Sequence, residues 1–304
     1  MTSRDQDSGK MDRDSKFSLT RLVHSYTDLN WISIGFKFIF KRNTRFDVTF
    51  KDKKRLSNIN LSQLAWLCKL IDSGWRISSL EGSFLILNNK DGISITCRID
   101  KGFDFGHLNE IFLKGVYGSD FNNKNIIDIG MSNGDSALYF ANRGAKKVVG
   151  VEPFFESFNL AARSIRISGL ESRIIILNKA VTAKGDPVTL WVYSKNPNAS
   201  SIESENMVKL RDSKSTELVG GVNLRELINL FEGDAIDFLK MDCEGCEYDV
   251  LQSLDENSFQ LIKEILVEYH NGQQNLVELF RRMGYEPLLK EVTSGMGYIR
   301  AKRN

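Results

Sequence analysis

The sequence predicts an α/β fold: a mostly parallel, doubly wound sheet closing in a C-terminal antiparallel hairpin, preceded by a small α+β unit. Three observations carry this. From Lys124 onward, continuously apolar segments alternate with amphipathic ones, the rhythm of strands buried on both faces and of helices covering them. Gly144, Gly169 and Gly284 each stand where an amphipathic segment stops, as at helix C-termini. Ahead of Lys124 the texture changes to aromatics mixed with Arg and Lys.

In the first unit, "LSQLAWLCKLIDSGW" places Leu61, Leu64, Ala65, Cys68 and Ile71 at helical spacing. "GSFLILNN" and "GISITCRID" read as two strands joined through Asn89–Gly92, a hairpin signal. "GHLNEIFLKGVYGSDF" reads as a helix leading into the second part. There "NIIDIG" is a strand and "DSALYFANRG" a helix; "KKVVGVEP" is a strand and "FESFNLAARSIRISG" a helix. "RIIILNKAV" is a strand, with "PVTLWVYS" a candidate further one. The polar stretch from Lys195 to Thr216 has no periodicity, and connections of that length are usually lids or disordered. "NLRELINLF" is a helix, "AIDFLKMD" a strand, "CEYDVLQSL" a helix, "IKEILVEYH" a strand and "NLVELFRRMG" a helix. "YEPLLKEV" and "MGYIRAKR" form the closing hairpin. The expected division is a disordered tail over 1–16, an α+β unit over 17–105 and the sheet domain over 106–304.

The 304 residues are 41% hydrophobic, enough for a core, and the net charge of +2 gives no global reason to expect nucleic acid or a membrane surface as partner. No stretch approaches the length of a spanning helix, and the polar start has no leader character, so the expectation is a cytoplasmic protein. The four cysteines do not make a disulfide framework. Cys243 and Cys246 lack a second ligand pair for zinc and read as packing residues at a helix start. The basic, aromatic segment from Trp31 to Arg45 reads as an edge of the first unit rather than a membrane contact.

In open parallel sheets ligands gather at the C-terminal ends of the strands, which directs attention to Gly130–Asp135, Glu152, Ala180, Asp242–Glu247 and Glu268–His270. The turn "DIGMSNGD" lacks the lysine of a phosphate loop. Its glycines are spaced Gly130-x-x-x-Gly134, with Ser132 where a dinucleotide turn has its middle glycine. Asp128 and Asp135 flank the turn and suit a cationic ligand, and Glu152 ends the next strand where a carboxylate accepts from both ribose hydroxyls. S-adenosylmethionine meets these demands, with Asp128, Gly130, Ser132, Asn133, Gly134, Asp135, Glu152 and Ala180 as its contacts. Asp135 is equally a candidate helix N-cap.

"DIGMSNGD", "VVGVEP", "NKAV" and above all "LKMDCEGCEYDVL", followed by "VEYH" and "MGYE", resemble the FkbM family of S-adenosylmethionine-dependent methyltransferases from about Gly106 to Gly284. Met131 and Ser132 stand where that family usually has Ala-Asn. The resemblance implies a Rossmann-like class I methyltransferase that methylates an oxygen, with a hydroxyl on a sugar, glycan or small metabolite as acceptor. Lys240, Asp242, Glu244, Glu268 and His270 then face the acceptor. Lys240 and Asp242 share a strand face, Asp242 is a base or orienting group, and His270 is a candidate base near neutral pH. Glu247 reads as structural. The spacing of Asp242, Glu268 and His270 defines no metal-ligand set, and no metal is assigned. Two rivals stay open: a non-catalytic cofactor- or glycan-binding partner protein, and a nicotinamide-dependent dehydrogenase.

Overall fold

The computed structural model describes residues 45–193, 200 and 214–303, apart from 271 and 274. The expectations for the 1–16 tail, for nearly all of the Trp31–Arg45 segment and for most of the Lys195–Thr216 stretch lie outside these residues.

The first unit opens with an antiparallel pair, β1 (Phe46–Thr49) and β2 (Arg55–Ile59). The amphipathic helix α1 (Leu61–Asp72) follows, entered through a capping box in which Asn60 and Gln63 satisfy each other's backbone N–H groups. Three antiparallel strands come next: β3 (Arg76–Glu81), β4 (Phe84–Asn88) and β5 (Ser94–Arg98). The expected hairpin is β4–β5. Strand β3 escaped the pattern because a bulge between Ile77 and Ser79 breaks its alternation. The segment expected as one helix over 106–121 is shorter. It runs as α2 (Asp104–Leu108), continues as one π-helical turn (Asn109–Leu113), and ends where Gly115 and Gly118 take positive φ.

The second part is built on a seven-stranded sheet. Five of its members, β6 (Asn125–Ile129), β7 (Lys147–Val151), β8 (Ile174–Leu177), β13 (Phe238–Met241) and β14 (Glu264–Tyr269), are parallel. The hairpin β15 (Tyr285–Thr293) and β16 (Met296–Arg303) adds antiparallel to β14. The resulting order is β15-β16-β14-β13-β6-β7-β8. Helices α3 (Asp135–Asn142), α4 (Phe155–Ile167), α5 (Leu224–Asn229), α6 (Glu247–Ser253), α7 (Glu256–Gln260) and α8 (Leu276–Arg282) lie between the strands. Alternate residues of β6 serve opposite faces: Ile126 joins the cluster under α3 and α4, Ile127 and Ile129 the cluster under α5, α6 and α8. No helix among the described residues is long and apolar enough to cross a membrane.

"RIIILNKAV" does not continue as one strand. After β8, Asn178 donates to the carbonyls of Glu152 and Pro153, both at 2.9 Å, and bends the chain out of the sheet. The next residues form β9 (Ala180–Val181), paired in parallel with β12 (Gly221–Val222). A separate antiparallel arm joins β10 (Val188–Tyr193) to β11 (Lys214–Val219), so the end of the supposed loop is strand.

The first unit is sealed onto the second by side chains that satisfy the edge of β5. Ser168 accepts the Ser94 N–H and Ser164 the Thr96 N–H, each at 2.9 Å, and Asp104 accepts the Arg98 N–H at 2.8 Å. Two strand residues advance about 6.6 Å and four helical residues about 6 Å, so Ser164 on α4 and Ser168 at its C-cap, one turn apart, meet alternate N–H groups. Arg98 is fully buried and grips Asp104 through Nε and Nη2 at 3.0 and 2.8 Å. The apolar core runs without a break from Val48 through Phe105 to Ala161.

Arg98→Met strands the Asp104 carboxylate without a partner and should lower stability by about 3–5 kcal/mol. The paired change Arg98→Met with Asp104→Leu should recover most of that loss. Urea unfolding of the three proteins checks it; equal destabilisation by single and double variants would show that the pair is not a coupled charge interaction.

Candidate functional site

A cleft opens at the C-terminal ends of β6, β7, β13 and β14. Its floor is the turn after β6. Gly130 leaves the strand at φ +76°, and a Cβ there would collide with the carbonyl oxygen of Asp242, so only glycine lets the turn lie against the β13 loop. Ser132 takes a left-handed φ of +48°, a conformation that Asn tolerates better than Ser. The strain is held by Glu152, whose Oε2 accepts the Ser132 N–H at 2.9 Å. Met131 is buried in the space that Gly150 leaves open on β7.

Of the residues expected at the cofactor, Gly130, Ser132, Asp135, Glu152 and Ala180 line the cleft. Asp128, Asn133 and Gly134 do not. Asp128 is fully buried behind the wall, where it accepts from Ser136 Oγ at 2.6 Å and faces Lys240 Nζ at 3.3 Å. Asn133 points away and donates to the Thr96 carbonyl of β5 at 3.0 Å, tying the turn to the first unit. Gly134 packs against Ala161 and occupies the N-cap position of α3. Asp135 is therefore the first helical residue rather than the cap. Its Oδ1 accepts the Ser136 N–H, while its buried Oδ2 has no hydrogen-bond partner.

Burial sets the charge states here. It pushes the Glu152 carboxyl up to about 7, despite the hydrogen bonds from the Phe154 and Ser132 backbone. It likewise lifts Asp135 to about 6.

All five residues expected at the acceptor line the same cleft: Lys240, Asp242, Glu244, Glu268 and His270. Lys240 donates to the Gly130 and Ile129 carbonyls at 2.6 and 3.3 Å and stands 3.9 Å from Asp242. Burial opposes its charge, but Asp128, Asp242 and Asp135 outweigh that and raise its pKa. His270 Nε2 lies 3.8 Å from both Asp242 and Glu244, and Nδ1 lies 3.5 Å from Glu247. Burial alone would favour the neutral ring. The adjoining Glu247, Glu244 and Asp242 overcome it and push the pKa up to about 10, so the imidazole is a cation at neutral pH. Burial and then the Asp242 charge push Glu268 up to about 8, which leaves it largely protonated there.

The loop between β13 and α6 is held from inside by Glu247. Fully buried, it accepts the Cys243 and Gly245 N–H groups at 3.1 and 2.9 Å. Positive φ at Glu244 and Gly245 folds the loop back until the Cα atoms of Cys243 and Cys246 are 5.6 Å apart. The two cysteines are joined by a disulfide, which corrects the expectation of simple packing; Cys68 and Cys97 are free and buried. Among the described residues no group of three or more His, Cys, Asp or Glu side chains is arranged to hold a metal ion.

Several wall residues were not anticipated. Tyr298 on β16 sits opposite Glu268 in register and hydrogen-bonds to it. Tyr117, His107 and Phe103 come from the segment before β6. For Tyr298 the hairpin's alternation against β14 was a usable signal; for the others nothing in the local sequence pointed to the cleft.

The Methyltransferase FkbM domain model matches residues 128–287. The chain is 24% identical over 168 residues to the methyltransferase sdnD of Sordaria araneosa, an alignment covering 47% of this chain and 65% of that protein, so it spans less than two thirds of that relative. It is 26% identical over 174 residues to Uncharacterized protein 158B of Sulfolobus islandicus rod-shaped virus 1, covering 57% and 77% of the two chains. Among solved structures, Methyltransferase FkbM from Methylobacillus flagellatus KT aligns with a TM-score of 0.43 at 13% identity, over 79% of this chain and 54% of that one. M. capricolum TrmK in complex with S-adenosyl-homocysteine aligns at 0.37 and 15%, over 65% and 68%.

The raised Glu268 carboxyl gives a pH signature. The native chain holds this proton above the ordinary value of 4.5, so its contribution to stability is full below about 4.5 and is lost as pH rises through about 8. Thermal stability of the ligand-free protein should fall across that window, and Glu268→Gln should flatten the fall by several degrees. A melting series across that range checks it; parallel curves would show that Glu268 titrates normally.

Proposed function

The chain belongs to the FkbM methyltransferase family, and we propose that it transfers a methyl group from S-adenosyl-L-methionine to a hydroxyl oxygen of a sugar, glycan or small metabolite. The observation that carries the reading is the placing of Asp242. Its carboxylate stands at the mouth of the glycine turn with Lys240 at 3.9 Å and His270 at 3.8 Å.

The cleft suits the donor on two counts. Asp135 Oδ2 is a buried acceptor without a partner. Glu152 spends one lone pair of each oxygen on backbone N–H groups and keeps others for ribose hydroxyls. The donor, when bound, would supply an activated methyl group, its sulfonium sulfur leaving as a neutral thioether.

The remaining work falls to the chain. As the acceptor oxygen bonds to carbon, its proton has to leave, and Asp242 is the group that takes it. Lys240 and His270 balance the charge of that carboxylate and fix its direction. His270, being protonated at neutral pH, serves as a positioning cation rather than as the base. Glu268, held by Tyr298, offers a carboxylic acid proton to a second acceptor oxygen. Six carboxyl groups line the cleft, from Glu110, Asp135, Glu152, Asp242, Glu244 and Glu268, which disfavours a phosphodiester and supports a small, uncharged acceptor over nucleic acid.

Isothermal titration with S-adenosylhomocysteine, NAD and NADP tests the donor. The homocysteine compound should bind, the dinucleotides should not, and Glu152→Gln should weaken binding by about 10- to 100-fold. Binding of NAD alone would overturn the reading.

For the reaction, transfer of a labelled methyl group to a panel of sugars and hydroxylated metabolites is measured. Asp242→Asn should lower turnover by about 100-fold or more with S-adenosylhomocysteine affinity unchanged. Full turnover in that variant would remove Asp242 as the base.

A further inference from the structure

The matched family segment begins at residue 128, yet one wall of the cleft comes from earlier in the chain: Phe103, His107, Glu110 and Tyr117 all face it. This wall is fixed to the glycine turn. The buried Arg98 holds Asp104, the first residue of α2, while its Nη1 bonds Ser157 Oγ at 3.1 Å and its Nη2 approaches Ser132 Oγ at 3.5 Å. Three residues after Asp104, His107 projects into the cleft with its side chain 37% exposed. Its Nδ1 lies 3.9 Å from Asp135 Oδ2, too far for a hydrogen bond.

Asp135 is 3% exposed, lines the cleft and leaves that oxygen without a hydrogen-bond partner. A buried carboxylate oxygen left so calls for a water, an ion or a ligand to complete it, and here it stands at the wall of the cleft. An acceptor and a potential cation side by side make the complement of a zwitterion whose ammonium and carboxylate sit on one carbon. Burial keeps Asp135 reluctant to ionise, a penalty that an incoming ammonium relieves.

We propose that His107 and Asp135 together receive the α-amino-acid end of the methyl donor, the ammonium on Asp135 and the carboxylate on His107, so that the segment ahead of the family domain is part of the donor site. This rests on the donor reading above. Arg98 is the positioning residue that keeps α2 in reach. Glu110, one turn further on, is an acid paired with Lys114 at 3.5 Å and does not supply the cation that a carboxylate needs.

Three ligands separate the contributions: S-adenosylhomocysteine, its decarboxylated form, and 5′-methylthioadenosine, which has no amino-acid group. Affinities are measured by titration calorimetry on the full chain, wild type, His107→Ala and Asp135→Asn. His107→Ala should weaken S-adenosylhomocysteine by about tenfold and leave the other two ligands unchanged. Asp135→Asn should weaken both amine-bearing ligands by about 10- to 100-fold and leave 5′-methylthioadenosine unchanged. That unchanged binding also shows that each variant is folded. Losses of equal size for all three ligands, or undiminished S-adenosylhomocysteine binding in both variants, would overturn the proposal. A wild type that binds none of the three would instead overturn the donor reading on which it rests.

Discussion

One buried ammonium organises the site. Lys240 stands beside Asp128 in the β6–β13 register, and its Nζ ties the Ile129 and Gly130 carbonyls to the Asp128 and Asp242 carboxylates. Removing such a charge from water is expensive, and it persists only where carboxylates and carbonyls replace the lost solvent. Here that replacement joins two functions. The same cation that holds the carbonyls of the glycine turn stands 3.9 Å from the Asp242 carboxylate. The contact between Gly130 and the Asp242 carbonyl fixes the spacing further, because no side chain fits between them.

The acid-base character of the cleft follows from this crowding. Carboxyl groups share a partly dry space with the cations of Lys240 and His270, and each settles by its neighbours. Asp242, between Lys240 and His270, is the carboxylate best supplied with positive charge. Glu268, deeper in and facing Asp242, keeps its proton to about 8. His270, ringed by Glu247, Glu244 and Asp242, keeps its own to about 10. A carboxyl group thus stands between two cations at one position and keeps its proton at another.

The first unit takes part in this arrangement. Its edge strand finds hydrogen-bond partners on α4 and on Asp104, and Asn133 of the turn reaches back to it. A sheet edge left open would invite pairing with another chain. Here the edge is closed by side chains of the domain that it helps to build.

The sequence by itself determined the architecture. Strand runs such as "NIIDIG" and "AIDFLKMD" carry apolar residues on both faces, so they had to be buried in a parallel sheet, and the acidic residues near their C-terminal ends had to meet at one edge. Period and polarity are local quantities, and a chain carries them wherever it folds. What only the tertiary structure decided were matters of direction and charge. Asn133 looked like a ligand contact and turned to Thr96, because the left-handed turn at Ser132 rotates it away from the cleft. Cys243 and Cys246 came together because two positive φ values reverse the chain between them. His270 changed from a candidate base to a fixed cation because three carboxylates from another loop surround it. His107 entered the cleft through a buried ion pair whose partners carry no mark in the sequence. A protonation state depends on what stands within a few ångströms, and that is settled when distant segments pack.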